Sequence, residues 1–224
     1  MYFHQNLQHL ADKRREWAVS FERILGAPKS DWEKLSPNVH QLLAVGELTG
    51  LSADVLLKVD LAQKEAIRSK DIAFLVVDID GVMTDGGMYY TESGDEFKKF
   101  NTKDGLAIKR LTKAGFPMGI ISSGFNVQLI NKRAELLGIK RVYAGTAPKL
   151  GILESWCAEM GIALSQVAYM GDDLNDEPVV RAVGFAACPS DAAAPIQALA
   201  HVVLSKKGGE GCVRELIERY FWER

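Results

Sequence analysis

Cysteine is scarce in this chain of 224 residues: Cys157, Cys188 and Cys212 are scattered, odd in number and without a Cys-x-x-Cys pair. That pattern gives neither a disulfide framework nor a zinc site, and it fits a reducing cytoplasm. Charge of one sign is scarce as well. The formal net charge is −2, so bulk electrostatics do not argue for nucleic acid or an acidic membrane as partner. No apolar run is long enough to span a bilayer. The first residues, Met1-Tyr2-Phe3-His4-Gln5, lack the basic-then-apolar order of a signal peptide, and a cytoplasmic location is expected. What is present is ordinary for a globular protein, with 47% hydrophobic and 25% charged residues. The length suits one large domain, or a medium one with a small attachment.

Residues 1–70 contain helix formers and no convincing strand. Leu7, Leu10 and Arg14 run on into Trp17, Phe21, Ile24 and Leu25 at helical spacing, and Gly26-Ala27-Pro28 is a stop. Ser36-Pro37-Asn38 opens another helix with Pro near its first turn. Val39, Leu42, Leu43 and Leu48 are expected on its inner face. Ser52 is a plausible N-cap for a short helix through Leu56 and Leu57, and a polar helix from Leu61 to Lys70 follows. This order resembles the Xre type of helix-turn-helix repressor over about residues 5–57, most clearly from Leu42 to Leu57. The stretch between Gly26 and Pro37 is short for a reading helix, and its two acids offset its two lysines, where base and phosphate contacts call for Arg, Lys, Asn or Gln. A helical packing or oligomerisation module is therefore expected over DNA binding, with Lys13-Arg14-Arg15 as a solvated helix face.

Phe74-Leu75-Val76-Val77 reads as a buried strand that ends in Asp78-Ile79-Asp80-Gly81. Residues two apart on a strand point the same way. Two carboxylates at the carboxyl end of a buried parallel strand lie where open α/β sheets bind ligands. There a carboxylate can act as nucleophile, acid/base or ligand of a hard cation; the alternative is a turn with capping Asp. Met88–Thr91 and Glu96–Phe100 flank a Gly-containing turn and read as a hairpin. A helix follows with Leu106, Ile108, Leu111 and Ala114 inward. From there strands and helices alternate. Strands are expected at 116–122, 141–143, 166–170, 184–187 and 201–204, and helices at 127–137, 150–160, 177–182, 191–199 and 212–220. This alternation predicts an α/β protein, a doubly wound parallel sheet with helices on both faces, preceded by a small all-helical domain.

The strand ends collect the chemistry. Asp78 and Asp80 follow the first strand, Ser122 the second, and Gly171-Asp172-Asp173-Leu174-Asn175-Asp176 the fourth; Lys149 precedes the helix at 150. Carboxylates this close repel unless a cation binds, and an all-oxygen ligand set suits Mg2+ over zinc. With an ammonium and a hydroxyl beside them, they form a site for a dianionic phosphate.

These four elements in this order resemble the haloacid dehalogenase superfamily over residues 71–224. The resemblance implies a phosphatase with Asp78 as nucleophile, Asp80 as general acid/base, and Ser122 and Lys149 holding the phosphoryl group. Mg2+ would be held by Asp78, the backbone carbonyl of Asp80, and Asp172, with Asp173 and Asp176 in supporting or capping roles. Three runs are similar to the capless branch that dephosphorylates 2-keto-3-deoxy sugar acids: 78–87, 100–105 and 208–215. There is no room for a cap domain between the first and second strands. That branch implies a homotetramer in which the hairpin helps close a neighbour's site. Gly86, Thr102, Ser123 and Arg133 become candidate substrate-binding residues, Arg133 for the substrate carboxylate. The wording of the hairpin is most similar to members acting on 2-keto-3-deoxynononate 9-phosphate, with 3-deoxy-D-manno-octulosonate 8-phosphate or another small sugar phosphate as the alternative. Ser122-Ser123-Gly124-Phe125-Asn126 departs from the family pattern, since the charged residue found there is missing. The loop Gly208-Gly209-Glu210-Gly211 either reaches a neighbour's site or is a simple turn. His201, Trp156 and Cys157 are expected to be structural. Rival readings are a non-catalytic assembly module and a DNA-binding regulator that senses a sugar phosphate.

Overall fold

The structure, a computed structural model, describes residues 2–69 and 71–221. The chain divides into two compact units, residues 1–69 and 70–224.

The first unit is helical: α1 (Phe3–Lys13), α2 (Arg15–Leu25), a 3-10 turn at Lys29–Lys34, α3 (Val39–Thr49), α4 (Ala53–Lys58) and α5 (Leu61–Ser69). Its core is Phe3, Leu7, Ala11, Phe21, Leu25, Trp32, Val45 and Leu56. Asn6 is buried in that core. Its amide donates to the carbonyls of Leu56 (2.9 Å) and Val59 (2.6 Å) and accepts from Leu61 N–H (2.9 Å), which joins α1 to the α4–α5 connection.

Three expectations need correction here. The periodic run from Leu7 to Leu25 is two helices, because Arg14 adopts an extended conformation (φ −132°, ψ 95°). Helix α3 begins after Asn38, whose side chain accepts from Gln41 N–H while Gln41 reaches back to Asn38 N–H, so Pro37 lies outside the helix. Its inner face is set by Val45; Val39 and Leu43 are 68% and 56% exposed. The segment between Gly26 and Pro37 is one 3-10 turn with Trp32 held inside, its indole donating to the Ala27 carbonyl (3.3 Å). Lys13 pairs with Glu65, and Arg14 lies over the Trp17 ring.

The second unit holds a six-stranded parallel sheet: β1 (Phe74–Val77), β4 (Met118–Ser122), β5 (Arg141–Ala144), β6 (Val167–Met170), β7 (Phe185–Cys188) and β8 (Val202–Val203), in the order β5-β4-β1-β6-β7-β8. The antiparallel hairpin β2 (Tyr89–Tyr90) and β3 (Glu96–Phe97) stands apart from it. Helices α6 (Thr102–Lys113), α7 (Val127–Leu137), α8 (Lys149–Met160), α9 (Glu177–Ala182), α10 (Ala194–Leu199) and α11 (Cys212–Tyr220) complete the unit. All four residues of β1 are buried. Alternation sends Phe74 and Val76 to a core shared with Leu153, Cys157, Val179 and Ile196 of α8–α10, and Leu75 and Val77 to the opposite face. Helices on both faces explain why β1 carries no polar residue until it ends.

The chain runs from β1 outward to β4 and β5, then crosses back to place β6 on the other side of β1. The order therefore reverses at β1, whose carboxyl end is the switch point where such sheets bind ligands. On α6, Gly105, Ala107, Ile108 and Leu111 are buried; Leu106 is 63% exposed and Ala114 is also outside, contrary to the expected face. Among the described residues, no helix is long and apolar enough to cross a membrane.

Candidate active site

Asp78 follows the last residue of β1, and its N–H still donates to Met170 O (2.9 Å), so it stays in register with β6. Its carboxylate is buried. Oδ1 accepts from Ile79 N–H (2.7 Å) and Oδ2 from the Lys149 ammonium (2.7 Å). Lys149 opens α8 and is itself buried, a position an ammonium occupies only with partners. Its second partner is Asp176 Oδ1 at 2.6 Å.

Asp176 is the hub of the site. Its Oδ1 also accepts from the Tyr169 hydroxyl (2.6 Å), and its Oδ2 accepts from the N–H groups of Asp172 (2.9 Å) and Asp173 (3.3 Å). One fully buried carboxylate thus shapes the loop after β6 and aims Lys149 at Asp78. Asp172 lies over Gly81. A Cβ at Gly81 would stand 1.9 Å from Asp172 Oδ2, and Gly81 has φ +77°; both the close approach and the backbone conformation require glycine.

Oxygen atoms of Asp78, Asp172 and Asp176 all lie within 4.8 Å of one another. Burial, then the charge of Asp176, pushes Asp78 up to about 7 despite Lys149. Burial, then Asp78, Asp176 and Asp173, pushes Asp172 up to about 7 as well. Burial alone would lower Lys149, but Asp78 and Asp176 outweigh it and raise it. The site thus holds carboxylates that resist ionisation together, the condition a divalent cation relieves. No hydrogen-bond donor among the described residues reaches the Asp172 carboxylate, whereas Asp176 is saturated by four. The all-oxygen set fits Mg2+; Asp172, which no donor among the described residues reaches, and Asp78, with one donor on each oxygen, are the carboxylates that could hold it, whereas Asp176 already has four.

Ser122 ends β4, fully buried, its hydroxyl accepting from Gly124 N–H (3.0 Å). A cavity of about 820 Å3 opens over these strand ends, lined by Asp78, Asp80, Gly81, Gly86, Ser123 and Asp172, by Gly124–Asn126, and by the hairpin residues Met88, Tyr90, Glu96 and Lys98. The structure thus brings together Asp78, Asp80, Asp172, Gly86 and Ser123 around the cavity, with Lys149 and Ser122 beneath its wall. Thr102 and Arg133 are not among the described residues lining it. Arg133 stacks on Phe100 (4.7 Å to the ring centre) near Asp104, and its Nε finds no partner among the described residues.

The loop 208–211 packs on its own unit. A Cβ at Gly208 would stand 2.0 Å from Gly81 O, Gly209 N–H donates to Val82 O (3.0 Å), and Asn101 donates to Gly209 O (2.9 Å). Its glycines admit this close approach, so of the two alternatives the loop takes the form of a turn on its own unit, a buttress under the turn that carries Asp80. His201 accepts from Ala186 N–H (3.0 Å), and Trp156 packs against Phe74, both structural.

Sequence reasoning missed Lys98, Glu96 and Tyr169. Lys98 bridges Asp80 Oδ1 (2.6 Å) and Glu96 Oε1 (2.8 Å). Glu96 and Lys98 lie two apart in an extended run, and that shared face was the available signal. Tyr169 carries none, since it reads as one more apolar strand residue.

Comparison with known proteins agrees with this geometry. Residues 137–216 match the family model of the haloacid dehalogenase-like hydrolases. The chain is 39% identical over 151 residues to the 3-deoxy-D-manno-octulosonate 8-phosphate phosphatase of Yersinia pestis, covering 67% of this chain and 80% of the relative. The crystal structure of the Yersinia pestis phosphatase of the same name superimposes with a TM-score of 0.65 at 38% identity, over 68% of this chain and 82% of that one. The Moraxella catarrhalis phosphatase of that name, solved with a magnesium ion, a phosphate ion and a KDO molecule, gives 0.66 at 31% identity, over 71% and 92%. With the parallel sheet, the paired aspartates at its switch point and these relatives taken together, the chain belongs to the haloacid dehalogenase-like hydrolase family.

Proposed function

We propose that this protein is an Mg2+-dependent phosphatase hydrolysing the phosphate monoester of a 2-keto-3-deoxy sugar acid, with 3-deoxy-D-manno-octulosonate 8-phosphate as its substrate. The observation that carries the reading is the buried Asp78–Lys149–Asp176 chain, set beside Asp172 at the switch point under an open cavity. The hairpin wording favours a nononate 9-phosphate; the named relatives favour the octulosonate 8-phosphate, and we place that substrate first.

In this reading Asp78 attacks phosphorus in line. The bond from phosphorus to the sugar oxygen breaks as the bond to Asp78 forms, and Asp80 gives its proton to the leaving oxygen. Asp80 then takes a proton from water, which attacks the aspartyl-phosphate and returns Asp78. Lys149 and the Ser122 hydroxyl hold the phosphoryl oxygens, and Lys149 balances charge beside the nucleophile. Asp78, Asp172 and the Asp80 carbonyl would hold Mg2+, which when bound neutralises the phosphate and the carboxylates that face it. Gly86 and Ser123 line the space for the sugar. Residues 1–70 are assigned a packing or oligomerisation role. The exposed Tyr90 and Phe97 of the hairpin, 56% and 52% accessible, suit contact with a neighbouring subunit of a homotetramer in the cytoplasm.

The test is phosphate release with Mg2+ from a panel of the octulosonate 8-phosphate, the nononate 9-phosphate and common hexose phosphates, with Asp78→Asn as control. Preferred turnover of the octulosonate ester, abolished in the variant, supports the reading. Preference for the nononate ester corrects the substrate. No release from any of them overturns the proposal in favour of an assembly or regulatory role.

A further inference from the structure

We propose that Lys98 is a positioning residue for the phosphoryl-transfer reaction, holding the Asp80 carboxylate in place and so tying proton donation to the seating of the hairpin. The inference rests on the phosphatase reading above and adds a residue to it.

Lys98 follows β3, on a hairpin whose other side chains are largely exposed. Its own side chain is 2% exposed, against 66% for the adjacent Lys99. A lysine so withdrawn from water needs anionic partners, and Lys98 has two, Asp80 Oδ1 at 2.6 Å and Glu96 Oε1 at 2.8 Å. Glu96 is fixed in turn, because its carbonyl accepts from the Asn126 amide (3.3 Å) at the start of α7. The ammonium is therefore anchored from the hairpin and presented to Asp80.

The other side of the Asp80 carboxylate is bounded by Gly124. A Cβ there would stand 3.3 Å from Asp80 Oδ2 and 3.2 Å from Ser122 Oγ. Asp80 thus sits in a slot between a charge-assisted hydrogen bond and the loop that follows Ser122. Its side chain is 39% exposed, and no donor among the described residues other than Lys98 holds it. Without that bond the carboxylate is free to change rotamer at the cavity rim, and a general acid displaced from the leaving oxygen loses its effect.

The experiment compares Lys98→Met and Lys98→Arg with wild type by kcat/KM, which reports steps up to phosphoryl transfer onto Asp78. Three substrates are used: the sugar acid 8-phosphate, glycerol phosphate as an alkyl ester without a carboxylate, and p-nitrophenyl phosphate, whose leaving group needs no proton. Lys98→Met is expected to lose about 100-fold on both alkyl esters and less than about 5-fold on the aryl ester, with partial recovery in Lys98→Arg. Equal losses on all three substrates would reduce Lys98 to a structural residue. A loss confined to the sugar acid would make it a substrate contact. No loss on any would overturn the proposal outright. Wild-type protein inactive on every ester would defeat the phosphatase reading itself, a result distinct from these.

Discussion

Replacing Asp176 by Asn perturbs the site at its hub. The side chain keeps its shape but loses its charge, and one of its oxygens becomes an NH2 group. Whichever way the amide turns, that NH2 faces donors: Lys149 and Tyr169 on one side, or the Asp172 and Asp173 N–H groups on the other. Removing one partner of a buried pair costs about 3–5 kcal/mol of stability. The electrostatic consequence is more specific. Asp78 and Asp172 are both pushed up to about 7, and the charge of Asp176 contributes to each shift. Mg2+ must compete with the protons these groups hold, so wild-type affinity weakens as pH falls from 8 to 6, by about 10-fold if one proton is displaced and about 100-fold if two are. With the Asp176 charge gone, both groups ionise more readily, and the window moves to lower pH. In Asp176→Asn the affinity should therefore be flatter between pH 8 and 6, even though the protein is less stable. Calorimetric titration with Mg2+ in two buffers of different ionisation enthalpy counts the protons released, and urea unfolding gives the stability. A variant with unchanged or steeper pH dependence would refute the assignment of Asp176 as a charge that adds to burial in raising Asp78 and Asp172.

Three other outcomes follow from the same geometry. Because folding raises Asp78 and Asp172, the folded metal-free protein binds more protons than the unfolded chain between pH 4 and 7. Its stability should then fall as pH rises across that window, and Mg2+ should restore it at neutral pH, read by thermal melts with and without the ion. Gly81→Ala places a methyl group against Asp172 and strains a left-handed residue; Mg2+ binding and phosphate release should both drop by at least about 100-fold. Tyr169→Phe removes one hydrogen bond to Asp176 and should cost about 1–2 kcal/mol in urea unfolding, with only a modest loss of rate.

The sheet was legible because a parallel strand buried on both faces has to be apolar until its end. Phe74–Val77 is so, and the polar residues after it mark the switch point. Helices α7 and α11 follow their periodic runs, each opening at a clear break: Asn126 accepts from Leu129 N–H to cap α7, and Gly211 precedes α11 in a left-handed conformation. The break at Arg14 was not legible, since neither Gly nor Pro marks it. The inner face of α3 was misjudged because that helix is apolar on several sides, leaving tertiary packing to choose Val45. In the site, the residues at strand ends announced themselves by type and position. Lys98 did not, because its tie to Asp80 spans 18 residues and depends on how the hairpin returns. Arg133 was expected to meet a substrate carboxylate; its neighbours in the fold, Phe100 and Asp104, lie too far along the chain for its helix alone to announce them.

The central claim is that the phosphoryl group passes through Asp78. Its most direct test is acid quenching of the protein during turnover of a radiolabelled sugar acid phosphate with Mg2+, followed by peptide mapping. The account predicts label on the peptide carrying Asp78, absent in Asp78→Asn and discharged by water in the unquenched wild type. Turnover without a labelled peptide, or label on a different residue, would contradict it.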